Sequence, residues 1–138
     1  MSSKNCIFCN IISGDMKSAT VFENSEFKVI MDRFPASKGH TLIMPKEHVE
    51  NIFDIETDVA SRLFALATQI SKILKQTLNC EGMNVLQNNG SIAGQTVDHF
   101  HLHLMPRYKD DKININWENL QVTEEDLEEV AKEIGRAL

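Results

Sequence analysis

One amphipathic stretch in the middle of the chain constrains the fold most. Between residues 54 and 79, apolar side chains recur at the three- and four-residue steps of one helical face. They are Val59, Leu63, Leu66, Ile70, Ile73 and Leu74. The segments around this helix instead have the alternation and the β-branched composition of strands. A long helix that covers one face of a sheet is therefore predicted.

Strand and turn patterns occupy much of the remaining chain. A short helix over residues 8–12 is predicted to stop at Gly14, and another follows the weak capping signal of Thr123 and Asp126. Five strands are predicted, on the two sides of residues 23–25 and at 40–45, 82–88 and 99–105. This order predicts an α+β fold with a mainly antiparallel five-stranded sheet, its helices on one face.

Length and charge restrict the classes of function. The 138 residues suit a single domain, 1–138, and residues 109–138 form a C-terminal extension beyond the last predicted strand. The net charge is −6 and no basic cluster stands out, so a general nucleic-acid-binding surface is not expected. Neither a membrane-spanning run nor a signal peptide is recognisable, and a cytoplasmic location is expected.

Three of the five histidines alternate with apolar residues in the segment DHFHLHLMP. In a strand, His99, His101 and His103 would share one face at spacings of ~6.6 Å, a row ~13 Å long. One zinc ion, with bonds of ~2 Å, cannot take ligands from both ends of that row. A polar strand surface and a reaction centre both remain compatible with the pattern.

The loop NNGSIAGQTVD precedes this row. Gly90 and Gly94 would let backbone amides approach an anion closely and donate to it. The loop is compatible with a phosphate cradle and equally with a flexible connection.

The cysteines form a second constellation. Their number, three, is odd and argues against a disulfide framework. Alone, the spacing of Cys6 and Cys9 is compatible with a redox pair, half of a zinc site or chance. Cys80 is interpreted as a plain thiol without function.

The segment His99–Met105 resembles the defining motif of the histidine triad superfamily of nucleotide hydrolases and transferases, three histidines alternating with apolar residues. The preceding loop is similar to that family's phosphate loop, FCNII to its first helix, and VIMDRFPASKGHTLIMPKEHV to its ribose-side strands and turn. The resemblance covers most of residues 6–108 and is closest to bacterial members of the nucleotide-binding branch. It implies the histidine triad fold.

The resemblance implies a role for each polar residue of the motif. His101 would be the nucleophile that attacks the α-phosphorus, and a neutral imidazole suits that role. The resemblance implies that His103 and the loop amides near Gly94 and Gln95 hold phosphate oxygens. It also implies that Asn88 contacts the phosphate or its bridge, that Thr96 lies near the leaving group, and that His40 supports the nucleophile. Thr96 stands where relatives often have serine, and the hydroxyl is retained.

For the nucleoside, the resemblance implies that Asp32 accepts hydrogen bonds from the ribose hydroxyls. Phe8, Ile11 and Ile30 would form an apolar slot for a purine base; without the motif, core packing is the simpler interpretation. Arg33 replaces an apolar pocket residue of some relatives.

Bacterial relatives with this cysteine pair also imply a structural zinc ion. Its ligands here would be Cys6, Cys9, His48 and His99, a set of the kind that tetrahedral zinc prefers. Family members are homodimers, which makes Trp117 a candidate contact across the dimer.

These features predict an enzyme that cleaves nucleoside phosphoramidates, acyl-nucleotides or dinucleoside polyphosphates through a nucleotidyl-histidine and releases a nucleoside monophosphate. The alternative is a nucleotide- and zinc-binding interaction module with incidental turnover.

Overall fold

A computed structural model describes residues 4–138. Its helices are α1 (Ile7–Ser13), α2 (Thr57–Leu78) and α3 (Glu124–Ala137), and its strands are β1 (Thr20–Glu23), β2 (Phe27–Met31), β3 (Thr41–Pro45), β4 (Gly82–Leu86) and β5 (Leu102–Arg107). A short 3₁₀ turn spans Ser91–Ala93. The five strands form one sheet in the order β1-β2-β3-β5-β4, and every neighbouring pair is antiparallel. The predicted α+β fold with a five-stranded antiparallel sheet is confirmed.

The two faces of the sheet carry separate cores. Val29 and Ile43 point to one face, where they pack with Phe100, Leu102 and Leu104 against α2. The residues next to them along the strands point to the other face, as strand alternation requires. There Ile30, Leu42 and Met44 pack against α1. The expectation that the helices share one face is wrong, because Phe8, Cys9 and Ile11 give α1 an apolar side of its own.

Strand β5 begins at Leu102 rather than at the predicted His99. Its pairing with β3 stops at Ile43 opposite Leu102. Farther along β3, Pro45 has no N–H to donate, and its carbonyl accepts a hydrogen bond from the His99 ring at 2.8 Å. Strand pairing between β3 and β5 therefore stops before His99 and His101, and the rings of these two histidines bond to backbone carbonyls instead.

Helix α2 confirms the long predicted helix but shortens it at both ends. Its buried stripe is Leu63, Ala67, Ile70 and Leu74. Ile73, predicted to belong to the stripe, is 55% exposed, because it lies at the edge of the helical face that meets the sheet.

The C-terminal extension makes little contact with the sheet. Thr123 and Asp126 form a reciprocal capping box that begins α3, as predicted. No residue of α3 is buried, and Leu127, Val130 and Ile134 remain more than half exposed along one side of it. Within residues 4–138, no helix combines the length and apolarity that crossing a membrane requires.

Candidate functional site

Cys6 and Cys9 meet two histidines at the start of α1. The Cys6 Sγ lies 3.4 Å from His99 Nδ1, and the Cys9 Sγ lies 3.3 Å from His48 Nδ1. The two histidine Nδ1 atoms are 3.2 Å apart. Cys6 is also the N-cap of α1, so the helix begins at this cluster. The structure thus brings together all four residues that the resemblance implied as zinc ligands.

These separations fit a tetrahedral zinc site. Bonds of about 2.3 Å to sulfur and about 2.05 Å to nitrogen put ligand atoms at about 3.6 Å (S to N) and about 3.3 Å (N to N) around one ion. The observed 3.2 to 3.6 Å match both values. Three of the four residues are buried, and burial raises the pKa of the Cys6 thiol. A cation bound there would offset that cost by favouring the thiolate.

A backbone bond fixes which nitrogen of His99 faces the cluster. His99 is fully buried, and its Nε2–H donates to the Pro45 carbonyl at 2.8 Å. The Nδ1 lone pair therefore points at the cysteines. Burial, with smaller contributions from neighbouring charges, lowers the pKa of His99 to about 4. A neutral ring held by a carbonyl is the arrangement that metal-binding histidines commonly have.

His101 has the tautomer that a nucleophile needs. Its Nδ1–H donates to the backbone carbonyl of His99 at 2.7 Å, which leaves the Nε2 lone pair free. The ring is 5% exposed and packs edge-on against Phe8, at 4.9 Å between ring centres. Burial lowers the pKa of His101. The imidazole is thus neutral at pH 7, which keeps its lone pair reactive.

His40 and His103 form a hydrogen-bonded pair beside it. The Ala36 N–H donates to His40 Nδ1 at 3.0 Å, so the proton of a neutral His40 is on Nε2. This Nε2–H donates to His103 Nδ1, with 2.9 Å between the two nitrogens. His103 then carries its own proton on Nε2, as a donor. Burial lowers the pKa of His103 to about 4 and also lowers the pKa of His40, against an opposing attraction from Asp32.

Asp32, His40 and His103 also lie close enough to suggest a second metal site. The hydrogen-bonding pattern argues against that interpretation. A metal would need the lone pair of His40 Nε2, whereas the Ala36 N–H requires the lone pair on Nδ1. The 2.9 Å between His40 and His103 is an N–H···N distance, shorter than the roughly 3.3 Å between two nitrogens on one zinc ion.

Residues expected to hold the nucleoside lie next to these histidines. Asp32 accepts the Phe34 N–H through Oδ1, and its Oδ2 lies 3.4 Å from His40 Nε2. Phe8, Ile11 and Ile30 are 3 to 8% exposed and belong to the core beneath α1. Core packing is therefore observed for all three.

The glycine loop is folded by its own hydrogen bonds. The buried Gln95 side chain accepts the Gly90 N–H and donates to the carbonyls of Glu50 and Val97. The backbone amides of Gly94 and Gln95, expected to face phosphate, donate to Ser91 and Gly90 carbonyls instead.

Two other loop groups are better placed for an anion. The amide and hydroxyl of the exposed Thr96 donate to no other protein group within residues 4–138. The Asn88 Nδ2 donates to the Gly94 carbonyl over a long 3.3 Å. Gly94 itself has φ = +93°, and a Cβ there would lie 3.3 Å from Asn88 Nδ2.

A cavity of about 400 Å³ adjoins the cluster. Its lining includes Cys6, His48, Thr96 and Asp98. Two residues singled out by sequence lie elsewhere: Trp117 is 77% exposed, and Cys80 is buried outside both histidine clusters.

The backbone groups that orient the histidines could not be predicted from the pattern of side chains. The carbonyls of Pro45 and His99 and the amide of Ala36 fix the protons of three imidazoles. Every residue offers such groups, so residue identity carries no signal for them.

Comparison with known proteins places these features in a family. The family model described as "HIT domain" matches residues 13–110. The chain is 37% identical over 139 residues to Protein hit of Bacillus subtilis, with 99% of this chain and 96% of the other covered. A crystal structure of a HIT family protein from Bacillus anthracis superposes with a TM-score of 0.93 at 39% identity, covering 99% of both chains.

Two further relatives bear on chemistry. The adenosine 5'-monophosphoramidase hnt1 of Schizosaccharomyces pombe is 32% identical over 132 residues, covering 95% of this chain and 96% of its own. A zinc-bound histidine triad family protein from Mycobacterium smegmatis has a TM-score of 0.76 at 30% identity, covering 97% and 98% of the two chains.

Proposed function

This chain belongs to the HIT domain family, and we propose that it cleaves nucleotide substrates at the α-phosphorus through a covalent nucleotidyl-histidine at His101. The substrates proposed are nucleoside phosphoramidates first, then acyl-nucleotides and dinucleoside polyphosphates. The product is a nucleoside monophosphate. The relative named as an adenosine 5'-monophosphoramidase supports the ranking, with adenosine as the nucleoside.

The observation that carries the proposal is the His101 tautomer. A neutral ring with its Nδ1–H on a carbonyl presents a lone pair at Nε2. Attack forms an Nε2–P bond while the bond from phosphorus to the leaving group breaks, and the leaving group departs with a proton taken from solvent. Water then adds hydroxide to phosphorus, the Nε2–P bond breaks, and the released proton goes to solvent.

Charge on the transferring phosphoryl group needs donors already in place. The Nε2–H of His103, held by its bond from His40, is one such donor in the proposal. The amide and hydroxyl of Thr96 and the amide group of Asn88 are others, with Thr96 nearest the leaving group. Because the Gly94 and Gln95 amides already donate within the loop, their part in phosphate binding requires the loop to open.

The nucleoside end is proposed to lie along α1. The Asp32 carboxylate has acceptor capacity left beyond its bond from Phe34, which suits ribose hydroxyls. Phe8, Ile11 and Ile30 would offer their remaining exposed edges to a purine, with little hydrogen-bond readout of the base.

We propose zinc as the ion at the cluster of Cys6, Cys9, His48 and His99. Four soft or imidazole ligands at tetrahedral separations support this choice, as does the zinc-bound relative. With four protein ligands, a bound ion supplies a structural cross-link. The residues themselves then tie α1 to the segment whose carbonyl orients His101.

We also propose a homodimer. The support is the C-terminal extension, which leaves Trp117 and the apolar side of α3 exposed in the single chain. A second copy of the chain would cover these residues.

The test follows hydrolysis of adenosine 5'-phosphoramidate by the wild type and by His101→Ala. We expect the substitution to lower kcat by about 10³-fold or more, a barrier change of about 4 kcal/mol. Nucleotide affinity and zinc content should remain, which separates lost chemistry from lost folding. Cys80→Ala, a buried change outside both clusters, is the control and should keep full kcat. Unchanged turnover by His101→Ala would overturn the mechanism.

A further inference from the structure

One proton at His40 faces two acceptors. Because the Ala36 N–H occupies Nδ1, the proton of the neutral His40 lies on Nε2. That Nε2 is 2.9 Å from His103 Nδ1 and 3.4 Å from Asp32 Oδ2. Only one N–H is present, so the bond to His103 and the attraction to the carboxylate compete for it.

His40 is buried, so its Nε2–H has few hydrogen-bond acceptors other than these two. Its ring is 5% exposed, so water does not readily replace either acceptor. The ring packs against His103 at 5.2 Å between centres. In such a site an anion attracts an N–H more strongly than it does in water. Asp32 therefore weakens the bond that keeps the His103 proton on its Nε2.

Asp32 has its own second partner in the proposed reaction. Its Oδ1 is held by the Phe34 N–H at 2.9 Å, which leaves Oδ2 as the freer oxygen. Ribose hydroxyl groups that donate to Oδ2 would reduce its attraction for the His40 proton. A bound ribose and His40 would thus share the same carboxylate oxygen.

We propose that Asp32 is a positioning residue for His103: when ribose hydroxyls bind Asp32, the His40 Nε2–H bond passes wholly to His103, which then presents its own Nε2–H to the phosphoryl group. The inference rests on the proposed function and adds a specificity mechanism to it. Ribose hydroxyls then raise kcat as well as affinity, so the site selects ribonucleotides over deoxynucleotides in the chemical step.

The kinetic test compares adenosine 5'-phosphoramidate with its 2',3'-dideoxy analogue. In the wild type we expect the dideoxy substrate to raise KM and to lower kcat about tenfold, the size of one hydrogen bond to a charged group. In His40→Phe and in Asp32→Asn the kcat ratio of the two substrates should fall to near one. His40→Gln, whose amide can accept from Ala36 and donate to His103, should restore part of the ratio.

Glu26→Gln is the matched control, because it makes the acid-to-amide change at a carboxylate paired with Arg62, away from the histidines. It should keep the wild-type ratio. Equal kcat values for both sugars in the wild type would overturn the inference and leave the proposed function standing. Absence of turnover with either substrate would instead overturn the proposed function.

A measurement without turnover tests the same coupling. Nitrogen-15 spectra of the wild-type histidines would be recorded with AMP and with 2',3'-dideoxy-AMP, which share the phosphate. We expect AMP, but not 2',3'-dideoxy-AMP, to shift the His103 Nδ1 resonance toward that of a nitrogen that accepts a stronger hydrogen bond. Identical His103 spectra with both saturating nucleotides would overturn the inference, whatever the kinetic variants do.

Discussion

At the residue scale, backbone groups decide what each imidazole can do. His99 and His101 lie two positions apart in the same motif, yet carbonyl partners fix opposite nitrogens of the two rings. His99 presents Nδ1 to the cysteines, and His101 presents Nε2 for attack. Identical side chains thus acquire different chemistry from the backbone around them.

Gly94 gives a prediction about the phosphate loop. Its φ of +93° is a conformation that costs a residue with a Cβ about 1–2 kcal/mol, and the added Cβ would also press on Asn88. Gly94→Ala is expected to lower the free energy of unfolding by about that amount in a urea titration, and to weaken AMP binding. Gly135→Ala is the matched control. Gly135 lies within α3, and a Cβ added there would have no atom within 4 Å, so the free energy of unfolding should rise by about 0.5–1 kcal/mol. Equal effects of the two substitutions would contradict this account of the loop.

His103 gives a prediction about pH. Its pKa is about 4 in the folded chain against an ordinary 6.5, so the unfolded chain takes up the proton first as the pH falls. The lowered pKa of His103 therefore leaves the free energy of unfolding unchanged above about pH 7. Between pH 6.5 and 4 it reduces that free energy progressively as the pH falls. His103→Asn removes this titrating group, so the free energy of unfolding should decline less between pH 7 and 5 than in the wild type. The comparison isolates His103 because the other groups titrate in both proteins. Parallel curves would show that His103 titrates normally in the fold.

At the element scale, α1 is the piece that the cysteines hold in place. In the proposed zinc site Cys9 is one of four ligands, so Cys9→Ser is expected to purify with less zinc than the wild type in metal analysis and to melt at a lower temperature. Some turnover should remain, because the His99 carbonyl that orients His101 is still present. Cys80→Ser, a change at a buried thiol outside the cluster, is the control and should have the same zinc content as the wild type. Full zinc content in Cys9→Ser would remove this residue from the ligand set.

Local signals predicted two helix boundaries. Gly14, at φ = +91°, ends α1 where expected, and the Thr123 capping box begins α3. Two features depended on tertiary contacts that no local pattern contains. The start of β5 is set by Pro45 across the sheet. The face that α1 covers is set by its packing against Ile30, Leu42 and Met44 of β2 and β3.

At the scale of the whole molecule, the extension beyond β5 is unlike the rest of the chain. It is predominantly exposed, and a 14-residue helix without tertiary packing is marginal in water. Its apolar side is the kind of surface that another protein surface covers. The sequence predicted the helix but could not show that its own domain leaves it uncovered.

The proposed homodimer has a direct optical test. Trp117 is the single tryptophan of the chain and is 77% exposed when the chain is alone. As protein concentration rises, its emission should shift to shorter wavelengths in parallel with a sedimentation mass that approaches two chains. A mass of one chain at all concentrations would rule out the dimer. A dimer with unchanged emission would place Trp117 outside the contact.

The site as a whole was predictable as a set of residues and less so as a mechanism. The four residues of the Cys-His cluster come together as expected. His40 was expected to support the nucleophile, and the structure instead pairs it with His103. The engaged amides of Gly94 and Gln95 were not expected, because the pattern of glycines does not say which amides the loop uses for itself.

The central claim is that His101 Nε2 becomes covalently bound to the α-phosphorus of the substrate. The most direct measurement mixes the protein with adenosine 5'-phosphoramidate, quenches within milliseconds under alkaline conditions, and locates the modified peptide by mass spectrometry. We predict an adenylyl group on His101 that forms and decays at rates compatible with turnover and is absent from His101→Ala. Turnover without an adduct on His101, or with the adduct on another residue, would contradict the claim.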